Sequence, residues 1–172
     1  MKRICLYAGP GAGKSTTAAF ILCLLKSNGY QAEIVREVAQ RFAYDKVDIH
    51  PVFDQPCVTG EQLRDEMRVL RSPAIAVCES PIGLSPIYGT EWSKQFWSEV
   101  NSTLEDAYPT LNIFIDRGSK PYTEVGGYQK RVEAEELDKE IKRYMTSVGI
   151  SFHEVEYGDE KTITELIKKG LE

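Results

Sequence analysis

Long apolar runs are missing from this 172-residue sequence, and no stretch approaches the ~20 consecutive apolar residues that a membrane span requires. The basic start of MKRICLYAG is followed by too short an apolar run for a signal h-region. Histidine is scarce, at two residues, and the four cysteines (Cys5, Cys23, Cys57, Cys78) show neither C-x-x-C spacing nor a histidine cluster. That spacing argues against a zinc site. Three of the cysteines lie in apolar runs and are expected in the core, and none is placed to act as a nucleophile. These features describe a reduced, cytoplasmic protein. A basic excess is lacking too: 21 Lys and Arg stand against 26 Asp and Glu, a net charge of −5. A nucleic-acid partner would therefore need a local basic groove, since neutralising phosphates drives most of that binding. No repeat, low-complexity tract or linker interrupts the chain, so residues 1–172 are expected to form one domain.

Apolar, β-forming segments and segments of helical period alternate along the chain. RICLYA (3–8), QAEIVRE (31–37), AIAVCE (74–79), LNIFID (111–116) and ISFHEVEY (150–157) read as strands. Helices are expected at 14–26, from Val38, at 61–71, from a Thr90 cap to about Ala107, at 131–148 and at 161–172. Residues 45–60, with two prolines and little periodicity, read as a loop, and SPIGLSPIYG as a proline-rich turn. Alternation of this kind predicts an α/β fold, a parallel sheet covered by helices on both faces with right-handed crossovers.

Between the first strand and the first helix lies AGPGAGKS, residues 8–15. This is the Walker A pattern, with Ala8 where the strict form has glycine. Glycines at 9, 11 and 13 let consecutive backbone N–H groups converge on phosphate oxygens. Lys14 is expected between the β- and γ-phosphates, the Ser15 hydroxyl on Mg²⁺, and the helix N-terminus beneath the phosphates. The nucleotide contacts are thus assigned to Gly9, Gly11, Ala12, Gly13, Lys14, Ser15 and Thr16, with ATP and Mg²⁺ as the expected cofactors.

A metal-holding acid belongs at the end of a neighbouring buried strand. Of the two strand-end acids, Glu79, before Ser80-Pro81, is the better candidate, and Asp116, before Arg117, reads as an element of the nucleotide-base or lid region. Phosphoryl transfer to a hydroxyl also needs a base, assigned to Glu37 at the end of the second strand, with Asp45 and Asp54 as runners-up. Arg117, Lys120, Lys130 and Arg131 bracket a connector containing Gly126-Gly127, which suits a lid over about 117–131, with Arg117 and Arg131 stabilising the transferred group. Phe42, Tyr44, Phe53, Gln55, Gln62 and Arg64 form an aromatic and amide-rich segment. Of these, Phe42, Phe53, Gln62 and Arg64 are taken as acceptor contacts. His50 and His153 are expected to be structural.

With ICLYAGPGAGKSTTAA, VREVAQRF, GEQLRDEM, ESPIGLSPIYG and DRGSKPYTEVGGYQ, the chain resembles the P-loop nucleoside and nucleotide kinases. More narrowly, it resembles small phage-encoded P-loop kinases, including those that phosphorylate 5-hydroxymethyluracil within DNA. The resemblance implies a five-stranded parallel sheet, a γ-phosphoryl donor role for ATP, Lys14 and Ser15 at phosphate and metal, Glu37 as the acid on strand two, and lid arginines at 117 and 131. The chain departs from the pattern at Glu79, where aspartate is more typical, and at Gly127, where relatives often carry arginine. The hydroxymethyl group in DNA is the favoured acceptor, a small nucleoside or nucleotide its rival, and a partner-driven ATPase switch the second alternative.

Overall fold

The computed structural model describes residues 1–45, 48–50, 52–118 and 131–172. Five parallel strands form one sheet: β1 (Arg3–Tyr7), β2 (Ala32–Val35), β3 (Ile75–Cys78), β4 (Thr110–Asp116) and β5 (His153–Glu156), in the order β2-β3-β1-β4-β5. The helices are α1 (Lys14–Ser27), α2 (Val38–Tyr44), α3 (Gln55–Leu70), α4 (Ser85–Tyr88), α5 (Glu91–Ala107), α6 (Arg131–Ser147) and α7 (Glu160–Leu171).

Side-chain alternation in the central strands divides the core in two. On β1, Ile4 and Leu6 pack with Val77, Ile113 and Ile115 against Ile21 and Leu25 of α1 and Ile163 and Ile167 of α7. Cys5 and Tyr7 point the other way, with Cys78 and Phe114, toward Val69 of α3, Trp97 and Leu104 of α5, and Ile141 and Met145 of α6. Both faces of β1 and β3 are buried, which is why these strands read as unbroken apolar runs.

One charged pair lies inside the second layer. Arg3 and Glu66 are both fully buried, and Glu66 Oε2 accepts from Arg3 Nε at 3.0 Å and Nη2 at 2.7 Å. Asn101 Oδ1 accepts from the same guanidinium at 3.3 Å. The other Glu66 oxygen accepts from the Ile82 N–H at 2.6 Å, fixing the turn after β3. Gly83 in that turn is required by space, because a Cβ there would lie 2.3 Å from the Tyr7 hydroxyl.

Three expectations are corrected. The segment 45–60 is not all loop, since α3 begins at Gln55 with Pro56 in its first turn. A proline there forfeits no intrahelical bond, so it marks a helix start as readily as a break. The proline-rich turn likewise holds a 3-10 turn at Ile82–Leu84 followed by α4 with Pro86 in its first turn. Cys5 and Cys78 are buried and face each other in register, but Cys23 is on the exposed side of α1 and Cys57 is exposed on α3. Among the described residues no helix is long and apolar enough to cross a membrane.

Glu66→Ala is expected to destabilise the protein by about 3–5 kcal/mol, because it strands a buried guanidinium and the Ile82 N–H together. Replacing Arg3 and Glu66 jointly by Met and Leu is expected to cost much less; urea denaturation of both variants compares them.

Candidate functional site

Four strands deliver their C-terminal ends to one edge of the sheet, where ligands collect in open α/β folds. The Walker A loop follows β1, Glu37 follows β2, Glu79 follows β3, Asp116 ends β4 and Arg117 follows it. Gly11 (φ 70°) and Gly13 (φ 101°) adopt left-handed conformations that side chains disfavour, and Ala12 between them is buried. Gly13 caps α1, so the loop opens directly onto the helix N-terminus. Ser15 and Thr16 are exposed there. Lys14 is 8% exposed, with Nζ donating to Ala8 O at 2.9 Å and Gly9 O at 3.1 Å. The ammonium is thereby held over the loop rather than in solvent.

Gly9 has a different reason to be glycine. Its N–H donates to Asp138 Oδ1 on α6 at 2.6 Å, and a Cβ would meet Ala134 O at 2.8 Å. The Gly9 N–H, expected to face phosphate, is therefore taken by the protein itself.

On the metal side, Ser15 Oγ donates to Glu79 Oε2 at 3.4 Å. Glu79 is 1% exposed, and its Oε1 has no hydrogen-bond partner among the described residues, though Arg36 Nη1 approaches it at 3.9 Å. Burial, followed by the charge of Glu37, raises the Glu79 carboxyl above its ordinary range against the opposing pull of Arg36 and Ser15. A buried carboxylate oxygen without a hydrogen bond, beside a serine hydroxyl, is a donor set that fits a hard cation such as Mg²⁺.

Glu37 is half-buried at the N-cap of α2, and its side chain makes no capping hydrogen bond. Gln62 on α3 is buried next to it: Oε1 accepts from the Val38 N–H at 3.0 Å, and Nε2 has no partner among the described residues. The other acceptor candidates are dispersed. Phe42 is half-buried on α2, whereas Phe53 is 74% exposed and stacks on His50 at 4.7 Å. Arg64 is exposed, two residues and so about 200° around the helix from Gln62. Of the two runners-up for the base, Asp54 is engaged with the His50 N–H at 2.9 Å and Asp45 is exposed at the end of α2. Asp116, at the end of β4, accepts from the Gly118 N–H at 2.9 Å, which together with a side-chain hydrogen bond to Glu154 and the charges of Lys142 and Arg117 holds its carboxyl low against its partial burial.

Arg117 is 7% exposed rather than poised in solvent. Its Nε donates to Asp138 Oδ2, Nη1 to Pro10 O at 3.2 Å, and Nη2 to Ala134 O at 3.2 Å. Arg131 is half-exposed at the start of α6 and pairs with Glu135 at 2.8 Å. The connector with Lys120, Gly126, Gly127 and Lys130 lies outside the described residues, so the expected lid over 117–131 is seen only at its two ends.

No protein-family model matches the sequence, and no curated protein does. Among solved structures, the deoxyadenosine kinase from M. mycoides with bound dCTP superposes with a TM-score of 0.53 at 18% identity, over 98% of each chain. The two chains share a fold. Because the match runs the length of both chains, the shared fold includes α6, β5 and α7 as well as the elements before them.

Two residues at this edge of the sheet escaped sequence reasoning. Asp138 lies 129 positions from the glycine it holds, inside a helix rich in acids, and nothing local distinguishes it. Tyr88, half-buried on α4, has its phenol pushed strongly upward by burial, then by the charges of Glu37, Asp138 and Glu140. Its place in SPIGLSPIYG, directly after the strand bearing Glu79, was the available signal.

Mg²⁺-dependent triphosphate binding is expected to weaken about tenfold per pH unit once the pH falls below the raised range of Glu79, because the proton competes with the cation. Glu79→Gln should remove that pH dependence along with most of the Mg²⁺ dependence, as read by titration calorimetry across pH.

Proposed function

We propose that the chain is an ATP- and Mg²⁺-dependent kinase that transfers the γ-phosphoryl group to a hydroxyl of a nucleoside or nucleotide. The observation that carries this reading is the convergence of Lys14, the Ser15–Glu79 pair and Glu37 on one edge of the sheet. Lys14 and the α1 N-terminus neutralise the phosphates. Glu37 takes the proton as the acceptor oxygen bonds to the γ-phosphorus and the bond to the β–γ bridging oxygen breaks, releasing ADP. Mg²⁺, held by Ser15 and Glu79, would offset charge on the β- and γ-oxygens when bound. Arg131, at the start of α6, is the remaining candidate for a closing arginine.

Several features support a small acceptor. The fold matches that of a deoxyadenosine kinase along its whole length. The Gln62 amide, buried beside Glu37 with its Nε2 unpaired among the described residues, suits a nucleobase edge. The net charge of −5 gives no general attraction for a polyanion. The hydroxymethyl group of a modified pyrimidine in DNA is the second reading, resting on the resemblance of the VREVAQRF and ESPIGLSPIYG segments and on the exposed aromatic Phe53.

The test offers γ-labelled ATP together with free nucleosides, nucleotides, plain DNA and hydroxymethyluracil-containing DNA. Label on nucleosides or nucleotides is expected; label on modified DNA alone would replace this reading by the second. ADP production independent of every acceptor would point to an ATPase instead. Lys14→Ala is expected to abolish transfer. Glu37→Gln is expected to lower kcat by about a hundredfold or more while leaving ATP binding intact; normal turnover in that variant would transfer the base role elsewhere.

A further inference from the structure

The contact between α6 and the phosphate loop joins two opposite charges that the kinase chemistry does not require. Asp138 is 13% exposed in its side chain and Arg117 8%. One carboxylate oxygen accepts from the Gly9 N–H at 2.6 Å, and the other accepts from Arg117 Nε. Each Arg117 nitrogen is engaged: Nε with Asp138, Nη1 with Pro10 O, Nη2 with Ala134 O. The guanidinium thus touches the outside of the phosphate loop and the backbone of α6 at once. A side chain at position 9 would collide with this cluster, since an added Cβ would meet Ala134 O, Asp138 Oδ1 and Arg117 Nη2 within 3.2 Å.

A carboxylate against a phosphate loop is, taken alone, a poor choice. It lies at the binding site of a polyanion and, in a buried setting, repels it across little solvent screening. Paired with Arg117 it becomes close to neutral, and its hydrogen bond holds the start of the loop in place before nucleotide arrives. We infer that Asp138 and Arg117 form a neutral clasp that sets the nucleotide affinity of the phosphate loop: Asp138 is the positioning residue, and Arg117 is its counter-charge rather than a ligand of the transferred phosphoryl group. The inference rests on the nucleotide-binding half of the function proposed above and not on the identity of the acceptor.

The clasp makes a prediction of sign that a γ-phosphate arginine does not. Arg117→Gln uncovers the Asp138 charge, so Mg·ATP binding should weaken by about tenfold or more. ADP affinity should fall by a similar factor, because the repulsion acts at the start of the loop. Asp138→Asn alone, which loses part of a hydrogen bond and no attraction to phosphate, should weaken binding by only about threefold. The double variant Arg117→Gln/Asp138→Asn should recover affinity to within about threefold of Asp138→Asn.

Calorimetry with Mg·ATP and Mg·ADP, alongside steady-state KM and kcat, reads these outcomes. Recovery in the double variant, with KM for ATP rather than kcat moving in Arg117→Gln, supports the clasp. No recovery, a kcat loss at unchanged KM, or a loss confined to ATP with ADP unaffected would overturn it in favour of direct contact with the γ-phosphate. Should Arg117→Gln fail to fold, Arg117→Lys decides the same point. It keeps the counter-charge without the fork, so KM for ATP should stay within about threefold of wild type with kcat preserved; a fall in kcat, or a KM rise as large as that expected for Arg117→Gln, refutes the clasp. Wild-type protein that binds Mg·ATP yet labels no acceptor would sink the kinase reading and leave the binding comparison fully legible.

Discussion

A buried ion pair, Arg3 with Glu66, ties together segments far apart in the chain. It joins the first residue of the central strand to the middle of α3, takes Asn101 of α5 into the same cluster, and secures the Ile82 N–H in the turn after β3. Two fully buried charges are expensive to desolvate, and the arrangement is tolerable because the carboxylate also satisfies a backbone donor. Its geometry has a consequence at the site. The turn it holds begins directly after Glu79, so the strand end that carries the candidate metal acid is anchored from inside the core.

The same device recurs at the opposite side of the functional edge. Asp138 and Arg117 are also a paired, largely buried acid and base, and they also engage backbone groups, the Gly9 N–H and the Pro10 carbonyl. One pair steadies the turn after β3 and the other the loop after β1. At the same sheet edge are Lys14, Ser15, Glu79 and Glu37; the Glu79 Oε1 lacks a hydrogen bond among the described residues, and Glu37 caps no helix N–H with its side chain. A rigid frame of satisfied charges around a few under-satisfied ones is what pre-organised phosphoryl transfer demands, since its catalysis is chiefly placement and electrostatics.

Much of this was legible residue by residue. The alternation of RICLYA, AIAVCE and LNIFID with helical segments pointed to a parallel sheet, and strands buried on both faces do occupy its centre. Strand-end acids were recognisable because β-strands ending at one edge must present their last residues together, which brings Glu37 and Glu79 within electrostatic reach. Prolines misled where they begin helices, at Pro56 and Pro86, because a missing N–H costs nothing in a first turn. Arg64 and Phe53 were grouped with Gln62 by proximity in sequence, but helix geometry turns Arg64 away and Phe53 is occupied with His50.

The backbone of the Walker A loop was legible in the sequence alone, because its geometry is local: glycines at fixed intervals, then lysine and serine at a helix start, define a backbone shape. Pairings of charge were decided only by the tertiary structure. Nothing near Arg117 distinguishes an arginine bound for a triphosphate from one bound for Asp138 on α6, and nothing near Arg3 marks it for burial against Glu66. Local pattern sets backbone conformation within a few residues; the partner of a buried charge is set by which distant segments the core brings together.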